Sequence, residues 1–179
     1  RKCVVRFFTL AVSMVQLRYT KRRENIMGMI IWEGPSRIDG APIVVLATGY
    51  RAGSKSQNAK TGEMVQTYIL RSDVGPWGAV KSGEDSSVCG DCPHRGGEGG
   101  VDRTCYVTVS RGPGSTWRNY AEGRADERDL SRLAGRPLRI GAYGDPAAVP
   151  VAVWEELAGQ ASNYTGYTRQ WLSGIAGAE

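Results

Sequence analysis

The chain has 179 residues, of which 23 are Lys or Arg and 18 are Asp or Glu, and its formal net charge is +5. This length allows one domain that buries a core, and the 41% hydrophobic and 23% charged content exclude global disorder or a coiled coil. The single histidine, His94, excludes any mechanism that needs two histidines within one chain.

The positive charge belongs to a leader, residues 1–26, with seven basic side chains and one acid, whereas residues 27–179 carry 16 basic and 17 acidic side chains. The leader therefore contributes +6 and the remainder −1. The apolar run at 7–17 has 11 residues, fewer than the roughly 20 that cross a bilayer, so we expect no membrane partner. We interpret residues 1–26 as an over-extended reading of the gene or a disordered arm, with a targeting segment as the alternative.

The first part of the remaining chain, 27–179, contains three predicted strands. The strand at Pro42–Thr48 is a continuous apolar run, which is typical of a strand buried on both faces. Alternation in the third strand places Val65, Thr67 and Ile69 on one face. The three strands are predicted at Ile30–Trp32, Pro42–Thr48 and Met64–Arg71. Residues 72–103 are rich in Gly and lack apolar periodicity, so they are predicted to form a long loop, and such a loop normally indicates function or disorder.

From residue 104 the pattern alternates between strands and helices. Ser115 is predicted as the N-cap of the first helix. Strands are predicted at Cys105–Val109, Leu138–Tyr143 and Tyr164–Thr168, and helices at Ser115–Glu122, Asp126–Leu133 and Val149–Ala161. Short connections of this kind predict βαβαβ units and parallel strands. We therefore expect a mixed α/β (α+β) domain at 27–179, with antiparallel N-terminal strands followed by parallel ones in a partial or truncated barrel-like sheet. The absence of a closing helix after the last predicted strand suggests truncation at the C-terminus.

The strongest chemical signal is a cysteine pattern within and after the 72–103 loop. Cys89, Cys92, His94 and Cys105 follow the spacing C-x2-C-x-H-x10-C. Two thiolates separated by two residues can bind one metal ion, and the later residues can complete a tetrahedral site. The same thiolates could hold an iron–sulfur cluster, with His94, Cys3 or a small molecule at the remaining position. The sequence leaves zinc and iron–sulfur undecided, and a redox pair or unbound thiols are the alternatives.

Polar and aromatic residues follow the predicted parallel strands at the edge where ligands bind in α/β sheets. The loop before the 115–122 helix offers hydroxyls and backbone N–H groups to an anion. Asp145 follows the 138–143 strand and could accept a hydrogen bond from a ligand. The predicted small-ligand residues are Ser115, Thr116, Tyr143, Asp145, Tyr167 and Arg169.

A second interpretation is a nucleic-acid-binding module stabilised by zinc. Its phosphate contacts would come from Lys55, Lys60, Arg71, Arg95, Arg103 and Arg111. The near-neutral charge of 27–179 gives this interpretation weak support, because phosphate-driven binding depends on excess positive charge.

Several motifs recur in an order that resembles a family of bacteriophage proteins. The motifs are Ser56-x-Asn58-x-Lys60-Thr61-Gly62, Cys89-x2-Cys92-Pro93, Cys105-Tyr106, Gly144-Asp145-Pro146 and Tyr164-Thr165-Gly166-Tyr167-Thr168. Over roughly residues 30–171 the chain is similar to the uncharacterised gene-product-88 type and its relatives. The resemblance implies a phage or prophage protein acting in the cytoplasm of a bacterial host, and it implies further chain after the Tyr-Thr motif.

The expected function is therefore a phage protein with a cysteine-ligated metal beside a small-ligand site. The nucleic-acid module is one alternative, and a factor that binds a host protein is another. The residues do not decide whether the chain is an enzyme.

Overall fold

The computed structural model describes residues 28–51, 58–97 and 101–172. The predicted leader at 1–26, Cys3, Lys55 and residues 173–179 lie outside the described residues. No helix in the described ranges is long and apolar enough to cross a membrane.

The described residues build a five-stranded sheet in which every strand neighbours the next one in the sequence. The strands are β1 (Met29–Pro35), β2 (Pro42–Thr48), β3 (Val65–Arg71), β4 (Leu138–Tyr143) and β5 (Tyr164–Thr165). β2 pairs antiparallel with β1 and β3, whereas β4 pairs parallel with β3 and β5. The prediction of a mixed fold, antiparallel first and parallel afterwards, is confirmed.

The hydrophobic core is centred on β2, whose residues Ile43 to Ala47 are all buried. This confirms the prediction from the continuous apolar run, because a central strand covered on both faces needs apolar side chains on both. On β3, Val65, Thr67 and Ile69 are buried, as the alternation predicts. The core therefore includes residues of both β2 and β3.

Four α-helices lie in the described part of the chain, together with short 3₁₀ turns. The helices are α1 (Pro76–Ser82), α2 (Ser86–Cys89), α3 (Gly112–Ala121) and α4 (Val151–Gln160). The segment 72–103, predicted as a loop, therefore contains two short helices. Their apolar residues Ala79, Val80 and Val88 are too few to show a helical period in the sequence, although all three are buried.

α3 begins three residues earlier than predicted, so Ser115 is not an N-cap. Its hydroxyl donates to the Gly112 carbonyl at 3.1 Å, and its amide donates to the Arg111 carbonyl at 2.8 Å. Pro113 in the first turn supports the earlier start, because its missing N–H needs no partner there. α4 is confirmed within one or two residues of the prediction, with Trp154 and Leu157 buried.

The prediction of a strand at Cys105–Val109 is wrong. The segment is irregular, and there is no room for it beside β3 or β4, since each already has a strand on both sides. The predicted helix at Asp126–Leu133 is a single 3₁₀ turn at Leu130–Leu133. β5 has two residues instead of the five predicted, because the chain turns away after Thr165 toward Asp145.

The sheet is open, with β1 and β5 as its edges, and it is not closed into a barrel. The carboxyl end of β4 lies between its two parallel neighbours, which is the position where α/β sheets bind ligands. This is the edge at which the cysteine segments meet the sheet.

Candidate functional site

A cavity of about 330 Å³ lies at the carboxyl end of β4. Three parts of the chain line it: the cysteine segments, the residues at the end of β4, and the turn after β5. The lining includes Cys89, Cys92, His94, Cys105, Tyr106, Val107, Gly141, Ala142, Tyr143, Gly144, Asp145, Tyr167, Thr168 and Arg169. Eight of the ten residues predicted for metal or ligand binding are therefore brought to one cavity.

The remaining two, Ser115 and Thr116, lie on α3, and neither lines this cavity. Thr116 is buried in the described structure. The Ser115 amide already has a backbone acceptor, so this helix start does not offer it to an anion.

The turn between the first two cysteines is built around Gly90. α2 ends at Cys89, and Gly90 has φ of 59°, a conformation that favours glycine. The Cys92 amide donates to the Cys89 carbonyl at 3.4 Å, which brings both cysteines to one side of the turn. The Cys105 amide then donates to the His94 carbonyl at 2.9 Å, so the third cysteine is held beside the same turn.

The three cysteines are half-buried and form no disulfide. Burial, followed by the nearby Asp85 carboxylate and Cys105, raises the pKa of the Cys89 thiol well above its ordinary value. Cys89 is therefore a neutral thiol unless a cation lies beside it.

Cysteine thiolates and a histidine ring are ligands that suit a soft metal, but they are not arranged here as the ligands of a bound metal ion would be. Within residues 28–51, 58–97 and 101–172, no three His, Cys, Asp or Glu side chains are grouped closely enough to hold a metal ion. The thiols share a cavity without converging on one point. His94 is exposed, and its Nδ1 lies 2.8 Å from the Thr104 hydroxyl.

Asp145 has a positioning role in this cavity. Its carboxylate accepts hydrogen bonds from the Thr168 hydroxyl (2.6 Å), the Arg169 amide (2.6 Å) and the Ala147 amide (2.9 Å). Its own amide donates to the Val88 carbonyl at 2.6 Å. Asp145 thus ties the end of β4 to the turn after β5 and to α2, and its carboxylate oxygens are occupied by these contacts.

Gln170 is a site residue that the sequence analysis missed. Its side chain is buried, and its Nε2 donates to the Asp91 carboxylate at 2.7 Å and to the Cys89 carbonyl at 3.3 Å. The backbone of Gly90 packs directly against this amide. Gln170 fixes the turn between Cys89 and Cys92 from a position some eighty residues away, and nothing in its local sequence marks that role.

A buried ion cluster behind the cysteine turn was also missed. Asp85 is 1% exposed, and its carboxylate accepts from Arg95 Nη1 at 2.7 Å and from Arg103 Nη1 at 3.5 Å. Arg103 Nη1 also donates to the Arg95 carbonyl at 3.2 Å. These contacts connect the chain before Cys89 to the segments around His94 and before Cys105.

The same contacts bear on the predicted phosphate-binding cations. Arg95 and Arg103 are committed to Asp85, and Arg71 forms an ion pair with Asp73 at 2.8 Å. Lys60 and Arg111 are exposed, and Lys55 lies outside the described residues.

Comparison of the chain with protein-family models, with curated proteins and with solved structures gives no match.

Proposed function

We propose that Cys89, Cys92 and Cys105 hold a metal centre, either zinc or an iron–sulfur cluster, and that the cavity beside them takes a small ligand. The observation that carries the proposal is the meeting of all three thiols at one cavity, although Cys105 is separated from the Cys89–Cys92 turn by an intervening segment. Eight residues predicted from the sequence line this cavity at the carboxyl end of a parallel strand, which is where ligands bind in sheets of this kind.

Metal binding at this cavity has to include movement of the thiols toward one another, since no three candidate ligands converge in the described residues. The cysteine turn and the irregular segment at 105–108 both lie at the cavity, and no disulfide restrains them. A bound cation also favours the thiolate form of Cys89, so binding releases a proton and becomes tighter as pH rises.

When bound, zinc would supply a Lewis acid and an iron–sulfur cluster would supply an electron carrier. The protein's own residues position the ligand and the turn. Asp145 orients the turn after β5, Gln170 fixes the cysteine turn, and Tyr143 and Arg169 line the cavity. The resemblance to the gene-product-88 type of phage protein remains a prediction, and so do the alternatives of a nucleic-acid module and a host-protein-binding factor.

The test is anaerobic purification of the full chain, followed by analysis for zinc, iron and acid-labile sulfide. We expect either about one zinc ion per chain or iron with sulfide. Cys89→Ser, Cys92→Ser and Cys105→Ser should each lose most of the metal, whereas Cys3→Ser should retain it if the cavity cysteines supply all the thiolates. A colourless, folded, metal-free protein that is unaffected by chelator and by Cys89→Ser would contradict the proposal.

A further inference from the structure

A groove of about 370 Å³ lies between α1 and α3, and the proposed function does not use it. Pro76 and Trp77 line it from α1, and Trp117 and Arg118 line it from α3. Three further lining residues are glycines, which contribute no side chain to fill the groove. The lining contains no carboxylate. The groove therefore combines an aromatic surface with one cation.

The two tryptophans are held by different contacts. Trp117 is half-buried, and its Nε1 donates to the Arg71 carbonyl at 2.9 Å, which fixes the orientation of its ring. Trp77 is 54% exposed, and its indole N–H has no hydrogen-bond partner in the described part of the chain. Lys81 Nζ lies over the Trp77 ring, 5.2 Å from its centroid, in a cation–π contact. Trp and Arg are the residue types that most often carry the binding energy of protein interfaces.

The charges at the groove are positive. Arg118 is exposed and forms no ion pair within the described ranges, and Lys81 lies over the tryptophan of α1. The carboxylates that flank α1 in the sequence, Asp73 and Glu84, lie 2.8 and 3.8 Å from Arg71 and do not line the groove. A partner that carries a carboxylate beside an apolar segment therefore complements this surface.

The chemistry of the groove fits a proline-rich segment in the polyproline II conformation. Such a segment packs its proline rings against aromatic side chains, and its backbone carbonyls remain free to accept hydrogen bonds from donors such as an indole N–H. The volume of about 370 Å³ is at the small end of binding pockets, so it admits a few residues and not a long helix. Single-stranded nucleic acid also stacks on aromatic rings, but it needs a groove of cations along its backbone, and this lining holds one.

We propose that the groove binds a proline-rich, acidic segment of a partner protein. Proline rings of the segment pack against Trp77 and Trp117, the Trp77 indole N–H donates to a backbone carbonyl of the segment, and an acidic side chain of the segment pairs with Arg118. The groove shares no lining residue with the cysteine cavity. The inference is therefore independent of the proposed metal centre.

The experiment titrates the full chain with two short synthetic peptides, one repeating Pro-Pro-Glu and the other Pro-Pro-Lys, and follows the fluorescence anisotropy of an attached dye. The wild type should bind the glutamate peptide, and Trp77→Ala should bind it about tenfold more weakly. Trp171→Ala is the matched control, because Trp171 is also exposed but does not line the groove. The control should bind the glutamate peptide as the wild type does.

A change of charge tests the pairing with the acidic side chain separately. Arg118→Glu should reverse the preference, so that the lysine peptide binds more tightly than the glutamate peptide. Lys60→Glu is the control: Lys60 is exposed and does not line the groove, and its replacement changes the net charge by the same amount. This control should keep the wild-type preference. The reversal also tests the inference if Trp77→Ala proves too unstable to measure.

Equal binding of the glutamate peptide by Trp77→Ala and the wild type would overturn the inference, and so would failure of the wild type to bind it. An oligothymidylate that binds the wild type but not Trp77→Ala, when the peptide binds neither, would identify a nucleic-acid surface instead. Metal content measured on the same samples separates the two proposals. Metal-free protein that binds the peptide contradicts the metal centre alone, whereas metal-loaded protein that does not bind it contradicts the peptide groove alone.

Discussion

Gly90 is the residue on which the shape of the cysteine turn depends. Its φ of 59° disfavours side chains, and a Cβ added there would collide with the side-chain amide of Gln170. That amide would then lose its hydrogen bonds to the Cys89 carbonyl and Asp91. One backbone position thus combines a conformational requirement with a packing requirement.

We expect Gly90→Ala to destabilise the protein by about 3 kcal/mol, because left-handed strain adds to a displaced buried amide. Gly83→Ala is the matched control, since Gly83 has φ of 80° but open space around its Cα. The control should cost about 1 kcal/mol. Urea unfolding measures both variants, and equal losses would show that Gln170 does not restrain the turn.

Single residues at the site were predictable to the extent that local sequence carries the signal. The cysteine spacing and the polar residues after β4 were visible in the sequence, and the structure brings them to one cavity. The bonds of Asp145 to Thr168 and Arg169 were not visible, because these partners lie more than twenty residues away and depend on how the turn after β5 closes. The roles of Gln170 and Asp85 were not predicted for the same reason, since each acts through contacts that are distant in the sequence.

At the scale of elements, α2 owes its position to contacts with three other segments. The Ser87 carbonyl accepts from the Ser36 hydroxyl at 2.6 Å, and the Val88 carbonyl accepts from the Asp145 amide at 2.6 Å. Asp85, just before the helix, holds Arg95 and Arg103. A helix of four residues is too short to be stable alone, so these contacts decide where Cys89 lies.

We expect Asp85→Asn to cost about 3 kcal/mol, because it leaves two arginines without a buried counter-charge. Asp73→Asn is the control: it removes the partner of Arg71 from a pair whose carboxylate side chain is 49% exposed, and exposed pairs are worth about 1 kcal/mol or less. Urea unfolding gives the two free energies, and hydrogen exchange at the Cys89 amide, which donates to the Asp85 carbonyl, reports on α2. Equal costs would mean that the buried cluster does not hold this region.

The elements themselves were predictable where the hydrophobic pattern was long and continuous. Pro42–Thr48 was predicted with its observed bounds because a strand buried on both faces needs an uninterrupted apolar run. Leu138–Tyr143 was also predicted with its observed bounds, and its burial alternates at first, with Leu138 and Ile140 buried and Arg139 half-buried between them. The Cys105–Val109 segment alternates like a strand, yet it is irregular and joins neither edge of the sheet, and β3 and β4 each already have a strand on both sides. Alternation predicts a strand only where the rest of the fold leaves a partner, and a single segment carries no information about that.

At the scale of the whole molecule, Asp126 connects the first strand to the second half of the chain. Its backbone exchanges hydrogen bonds with Gly28 and Ile30 at 2.7 and 2.9 Å. Its carboxylate accepts from the Tyr50 hydroxyl and from Arg132, both at 2.7 Å. One residue therefore joins β1, the chain after β2 and the 3₁₀ turn at 130–133.

The ionised carboxylate of Asp126 makes the stability of the folded protein depend on pH in the acid range. Burial opposes ionisation of Asp126, but the hydrogen bonds from Tyr50 and Arg132 outweigh it and hold its pKa below the ordinary value. A lowered pKa stabilises the folded state above the unfolded-state value of about 3.9, and the stabilisation is lost as pH falls through the folded-state value. The stabilisation by Asp126 is therefore lost at acid pH and is fully present at neutral pH.

We expect Asp126→Asn to cost about 2 kcal/mol near pH 7, because an amide replaces a carboxylate in two charge-assisted hydrogen bonds. As pH falls from about 5 to about 2, the wild type should lose more stability than the variant, so the two curves converge. Asp102→Asn is the control, since Asp102 is exposed and its left-handed φ of 59° suits asparagine. Urea unfolding across this pH range measures the difference in unfolding free energy between the wild type and Asp126→Asn. A difference that stays constant with pH would show that the charge of Asp126 does not stabilise its contacts with Tyr50 and Arg132.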